Sequence, residues 1–258
     1  MRTGLVHTAL LTARSLRTLR RQPAVLAFTL VQPAIWLLLF GQLFTRVAQL
    51  PGFGHGGYLD YLTPGVVVMT AMSNAAWAGT AIVQDTARGV MDRSLASPVS
   101  RGALIAGSLA YQGLVTVVQS VIVLAVGYAA GARLGGGVTG LLVILASSVL
   151  LAVAFAALSD AVAVLVRQQE ALIGISQFLI LPLTFLSSVM MAPGLMPHWV
   201  SDVARGNPLD WAAKAGRSAA SSHPDWTAVL QEEALLAVFA ALMAWLATLA
   251  LRAYRRAS

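Results

Sequence analysis

The chain has 258 residues, 58% of them hydrophobic and only 10% charged, with a mean hydropathy of +0.76; a soluble domain carries roughly 25% charge, so the composition excludes a soluble fold and places most side chains against lipid or other apolar helices. The net charge of +7 is almost all arginine and flanks apolar runs instead of forming a stripe, which excludes a nucleic-acid surface. With no cysteine and four histidines far apart (His7, His55, His198, His223), disulfides, thiolate catalysis and paired metal ligands are excluded too.

Residues 3–21 come first. Leu5, Val6, Ala9, Leu10, Ala13, Leu16 and Leu19 share one helical face, and Arg14, Arg17 and Arg21 the other. That pattern predicts an interfacial helix lying on anionic headgroups. A signal peptide is rejected, because the apolar run that follows is too long and lacks a small-x-small cleavage site. Span 1 is expected over residues 24–44, since about twenty helical residues cross a hydrocarbon core of roughly 30 Å. Gln32-Pro33 should kink it. After a glycine-rich loop, span 2 is expected over 58–83, with Pro64 near its start and Asn74 and Trp77 within it.

Next comes the one long polar interruption between spans, residues 84–101, reading QDTARGVMDRSLASPVSR. It carries Asp85, Arg88, Asp92, Arg93 and Arg101, and Val90, Met91 and Leu95 gather on one helical face. Pro98 ends that helix by pushing Ser97 out of the α region. A short amphipathic helix joining two spans is suited to docking a cytosolic partner. Span 3 is expected over 103–130, span 4 over 138–166 and span 5 over 171–191, with Pro182 inside the last.

Residues 193–225 are too polar to cross, yet they contain Trp199 and Trp211 in pieces broken by Pro197 and Pro208. Tryptophan at this density fits two short helices at, or dipping into, a membrane surface. Span 6 is expected over 234–251, before a basic tail of Arg252, Arg255 and Arg256. The expected fold is thus a single all-α membrane domain over residues 1–258, with six spans. Placing both termini in the cytoplasm leaves only Arg46, Arg133, Arg205, Lys214 and Arg217 of the 17 cations outside, as the positive-inside rule requires.

The chemistry is sparse. A phosphate-cradling loop needs Gly-Lys-Ser/Thr, and the single lysine, Lys214, is followed by Ala215. An intramembrane serine protease needs a histidine within the spans, and there is none. A proton-coupled carrier needs buried carboxylates or histidines as relays, and only Asp160, near the inner end of span 4, qualifies. The energy source is therefore expected on another chain.

Two stretches carry a resemblance. ARGVMDRSLASPVSR is similar to the cytoplasmic signature of ABC type-2 transporter permeases: an acidic-Arg-Gly segment, an Arg-Leu pair, then Thr/Ser-Pro-Val-Ser-Arg. Residues 178–211, FLILPLTFLSSVMMAPGLMPHWVSDVARGNPLDW, resemble the family's Pro-Leu-x-Phe-Leu-Ser, Met-Pro-x-Trp and Asn-Pro-Leu runs. The two matches stand in the family's order, and the layout covers essentially the whole chain. Among the branches it looks most like the daunorubicin-resistance-type permeases of drug and lipid exporters, although Ser94 stands where the family often has leucine.

The resemblance implies a permease subunit without ATPase activity, paired with a second permease subunit, itself or a paralogue, and with two cytosolic ATP-binding cassette subunits. ATP and magnesium would bind those partners, and this chain would hold no cofactor or metal and no catalytic residue. Residues 84–101 would be the coupling helix, with Asp85, Arg88, Val90, Met91, Asp92, Arg93, Leu95 and Arg101 as its contacts. Spans 2 and 5 would line the path, with Asn74, Trp77, Gln177, Phe178 and Phe185 as candidates for an amphipathic cargo. Pro182, Trp199 and Trp211 would form an outer gate. Arginine-for-lysine usage and abundant alanine point to a bacterial cell membrane. The alternatives are a polysaccharide-exporting permease and a membrane scaffold or immunity protein that binds a partner without transporting.

Overall fold

The computed structural model describes residues 30–46, 57–87 and 101–257, and of 87, 101–104 and 252–257 the backbone alone. The expected interfacial helix at 3–21, and the coupling residues Arg88, Val90, Met91, Asp92, Arg93 and Leu95, lie outside the described residues.

The described residues form nine helices, a 3-10 turn at Pro193–Leu195 and no strand. They are α1 (Leu30–Leu43), α2 (Tyr58–Ala75), α3 (Thr80–Ala87), α4 (Arg101–Ala129), α5 (Gly137–Val166), α6 (Gln169–Phe185), α7 (His198–Ala204), α8 (Pro208–Ala220) and α9 (Trp226–Ala257). Four segments are long and apolar enough to cross a membrane: Tyr58–Thr86, Ile105–Ala129, Gly137–Val166 and Trp226–Leu251. Leu30–Leu43 and Gln169–Phe185 are shorter apolar helices at the places expected for spans 1 and 5.

The centre of the bundle is α5, apolar on all sides and packed by α2, α4, α8 and α9. Val68 and Met72 of α2, Leu151 and Phe155 of α5, Leu209 of α8 and Leu236 of α9 form the main core. Beside it, Leu37, Leu62, Val66, Val123 and Ile144 join α1, α2, α4 and α5. On α1, Pro33 precedes a π turn at Trp36–Phe40, and Trp36, Phe40 and Phe44 stack in sequence at 4.4 and 5.5 Å before meeting Tyr58 at 5.6 Å. These rings tie α1 to the start of α2.

Three elements differ from the sequence reading. Span 2 is not one helix, because α2 ends at Ala75 and a turn over 76–79 separates it from α3. Span 5 ends at Phe185, six residues early, and 186–192 continue without helix. Pro182 therefore sits in the last turn of α6 and not at a mid-helix kink; lacking an N–H it cannot hold the turn before it. Finally, α8 does not rest on the surface. Leu209, Ala212, Ala213, Ala215 and Ala219 are fully buried, and this run of small residues lets α5 approach closely: a Cβ on Gly140 would lie 2.5 Å from the Ala219 carbonyl oxygen.

Candidate functional site

Two polar arrangements stand out in this apolar bundle. One occupies the break in span 2, and the other holds the irregular segment after α6.

At the break, a carbonyl loses its helical partner inside a low-dielectric interior, where an unmade hydrogen bond costs about 1–3 kcal/mol. The Ala76 carbonyl is met twice, by Ser159 Oγ of α5 at 2.7 Å and by Ser176 Oγ of α6 at 2.8 Å. Ser159 Oγ also accepts the Gly79 N–H at 3.0 Å. Gly79 must be glycine here, since a Cβ would lie 2.4 Å from the Ser159 carbonyl oxygen. Asp160, next to Ser159, is 1% exposed, with Ser108 of α4 as its polar neighbour.

The second arrangement begins at Asn207. Its side chain caps α8 by accepting the Leu209 N–H at 2.9 Å, and its amide donates to the Leu183 and Leu186 carbonyls at 2.7 and 2.8 Å. Asp210, fully buried, accepts the Ser188 N–H at 2.7 Å and pairs with Lys214 at 2.7 Å. Arg217 reaches across from α8. Nε donates to the Tyr61 carbonyl (3.0 Å), one terminal nitrogen to Ser188 Oγ (3.0 Å) and the other to the Val189 carbonyl (2.7 Å). The guanidinium also lies 3.7 Å over the Tyr61 ring. From α2, Tyr61 Oη donates to the carbonyls of Ser188 and Met191, and Tyr58 Oη to that of Met190. Burial pushes the Arg217 pKa down, against the pull of Tyr61 and Asp210.

Segment 186–192 is thus irregular backbone latched by side chains from α2 and α8, as backbone at membrane depth must be when no helix satisfies it. Gly65 leaves room for the latch: a Cβ there would stand 2.8 Å from both Arg217 and the Val189 carbonyl oxygen.

Of the residues predicted for the path, Asn74 and Trp77 are half-buried at the break, where Asn74 donates to Gln119 of α4 at 3.0 Å. Gln177, Phe178 and Phe185 point away from the bundle, with Phe178 77% exposed. The fold brings the first pair beside α6 through Ser176, but not into contact with this outward face. Of the gate residues, Pro182 and Trp199 are exposed, whereas Trp211 sets its ring edge-on to Phe239 and donates to the Arg205 carbonyl. Asp85 is exposed at the end of α3, and Arg101 opens α4. Asp160 is not the only acid within the spans: Glu232 and Glu233 fall inside the ninth helix, and Glu233 accepts a hydrogen bond from Ser147. The sequence reading began span 6 at residue 234, just past both.

Sequence reasoning also missed Tyr58, Tyr61, Asn207, Asp210 and Arg217. Signals were present. Asn-Pro is a helix start with its cap, and Asp210, Lys214 and Arg217 at i, i+4 and i+7 share one face of the helix that follows.

Together these features define an all-helical protein that crosses a membrane several times, with polar groups confined to a broken span and a latched irregular segment. Comparison with known proteins carries the assignment further. Residues 7–220 match the model of the ABC-2 type transporter family, and the chain belongs to that family. It is 30% identical over 245 residues to the daunorubicin resistance ABC transporter permease protein DrrB1 of Streptomyces coeruleorubidus, covering 94% of this chain and 83% of that one. It is also similar to the putative transport permease ycf38 of Cyanophora paradoxa (27% over 209 residues, 81% and 71% covered) and of Pyropia yezoensis (29% over 219 residues, 83% and 73% covered). The chain is accordingly a membrane-embedded permease of the ABC type.

Proposed function

We propose that this permease is the single-domain, six-span transmembrane subunit of an ATP-driven exporter, moving a hydrophobic or amphipathic small molecule or lipid out of the cell. What carries the reading is the match along nearly the whole chain to a protein named for daunorubicin resistance. A chain without a phosphate-cradling loop must draw ATP hydrolysis from a partner, so two ATP-binding cassette subunits, holding ATP and magnesium, dock on residues 84–101. A second permease subunit completes the path, to which the outward face of α6, with Gln177, Phe178 and Phe185, contributes. Both termini are cytoplasmic in a bacterial cell membrane, and segment 186–192 with Pro182, Trp199 and Trp211 forms the outer gate.

The docking stretch provides the test. By their spacing on a helix, Val90, Met91 and Leu95 would form a small apolar patch, and one buried apolar side chain contributes roughly 1.5–3 kcal/mol. Leu95→Asp puts an unpaired charge into the partner's groove, which costs more than removing the side chain. Co-expressed with the ATP-binding subunit, Leu95→Asp should insert normally yet lose both export and permease-stimulated, vanadate-sensitive ATP hydrolysis. Leu95→Ala should weaken both. A Leu95→Asp protein that exports and stimulates at the wild-type level would sink the docking assignment and return the chain to the scaffold reading.

A further inference from the structure

Arg217 and Tyr61 form a wall with a cavity on each side. One cavity, about 300 Å³, is lined in part by Ser188, Lys214 and Glu232. The other, about 490 Å³, is lined by Asp60, Arg133, Ser221, Ser222 and His223 together with the wall. The larger one lies where α2 begins, α4 ends, α5 begins and α8 ends. That is the end of the bundle opposite the close of α3 and the opening of α4, at the level where spanning helices leave the hydrocarbon and lipid phosphates sit. Trp226, exposed at the start of α9, marks the same level.

The charges in this cavity are unequally committed. Asp60 is occupied: its two carboxylate oxygens accept the N–H of Gly57 at 3.0 Å and of Arg133 at 2.6 Å. The Arg133 side chain is exposed and makes no ion pair among the described residues, because its backbone and not its guanidinium serves Asp60. Arg217 spends three of its N–H groups on the latch and also meets the Tyr61 side chain, so what it turns toward the cavity is chiefly its positive charge. Ser222 Oγ and His223 Nδ1, 3.2 Å apart, add further polar groups on the rim. Two guanidinium groups against one carboxylate, whose oxygens are already turned to backbone N–H groups, leave a net positive charge in a concave site at headgroup depth, which matches a tetrahedral anion. Guanidinium is the side chain whose fork best fits phosphate oxygens.

We propose that this cavity binds the phosphate of a phospholipid headgroup, gripped by the Arg133 guanidinium and drawn in by the charge of Arg217 in the wall, with Ser222 and His223 completing the contacts. Because Arg217 also holds Val189, an occupied cavity steadies the latch on segment 186–192. The proposal rests on membrane placement and not on the export reading, so each can fail without the other.

The test uses the full chain, purified in detergent, stripped of lipid and titrated with phosphatidylglycerol or with diacylglycerol of the same acyl length, with bound lipid read by native mass spectrometry. The wild type should retain phosphatidylglycerol over diacylglycerol, and glycerol phosphate should compete. Arg133→Glu should weaken retention by about tenfold or more, with an unchanged thermal midpoint, since the residue's structural contact is its backbone N–H. Arg133→Gln should fall between. Equal retention of both lipids, or an Arg133→Glu protein that binds as the wild type does, would overturn the site. Inorganic phosphate bound with the same Arg133 dependence, while the lipid is not, would overturn the lipid source and leave a site for soluble phosphate.

Discussion

Replacing Arg217 with methionine tests whether segment 186–192 is held by its side-chain latch. Methionine keeps the length and apolar stem of arginine but removes its three donated hydrogen bonds and its contact with the Tyr61 ring. Hydrogen bonds from a charged group contribute about 1.5–3 kcal/mol each, and a cation over an aromatic face about 0.5–2 kcal/mol. Against this stands the relief of no longer burying the charge, which offsets a good part of the sum. The Val189 carbonyl left without its donor adds cost, and a net loss of about 3–6 kcal/mol follows, above the usual range for one substitution. That corresponds to a fall in thermal midpoint on the order of 10 °C in a chain of this size. Arg217→Lys keeps the charge and one donor and should lose about half as much. Because the chain lacks cysteine, the segment can be probed directly. Val189, fully buried, is replaced by cysteine, and maleimide labelling is timed. In the Arg217→Met background Val189→Cys should label many times faster than in the parent. Equal labelling rates and equal midpoints would refute the latch.

Three further outcomes are expected. Asn207→Ala removes both the cap of α8 and the two amide donations to α6, and should cost about 2–3 kcal/mol; Asn207→Asp keeps the cap acceptor but not the donors, and a midpoint equal to wild type there would show that the carbonyl contacts contribute nothing. Gly79→Ala drives a Cβ against the Ser159 carbonyl and should destabilise by about 1–3 kcal/mol, whereas Gly174→Ala, with nothing within 4 Å of its Cβ, should be stabilised or unchanged; thermal midpoints compare the two, and no loss at Gly79 refutes the close approach. Cysteines placed at Gly54 and Ser221 should label with an impermeant maleimide in intact cells, and those at Ser94 and Ser258 only after permeabilisation; the reverse pattern overturns the proposed orientation.

The long apolar helices were legible because composition decides them. Nothing but a helix can satisfy the backbone of residues 137–166 in hydrocarbon. The break at 76–79 was not legible, since Ala76-Trp77-Ala78-Gly79 continues an apolar run and only Ser159 and Ser176, some 80 and 100 residues on, make its carbonyl tolerable. The same limit applies at the end of span 5. Leu186, Val189 and Met190 look as apolar as the helix before them, and what permits them to leave it lies on Tyr58, Tyr61, Asn207, Asp210 and Arg217. For α8 the error ran the other way. Asp210, Lys214 and Arg217 made it read as a surface helix, but these charges are spent on internal partners, and the alanines between them pack inward. Local polarity reports where a side chain would rest alone, and cannot report a partner brought by another helix.

The break and the latch are joined by continuous structure, and this bears on how a push at residues 84–101 would be delivered. A flexible joint at 76–79 would absorb it. The joint is instead clamped, since the Ala76 carbonyl takes one hydrogen bond from α5 and one from α6, so displacing it breaks contacts to two helices at once. Restoring neither would leave an unpaired carbonyl in an apolar interior, at about 1–3 kcal/mol. The lower-cost response is for α3, α5 and α6 to shift together. Helix α6 runs from Ser176 at the clamp to Phe185, and its Leu183 and Leu186 carbonyls are the acceptors of Asn207. A shift of α6 therefore pulls on the latch at its Asn207 end, while Arg217 and Tyr61 resist from α8 and α2. On the export reading, opening is decided by that contest, and the clamp at Ala76 and the latch at Arg217 are the two ends of one rigid lever.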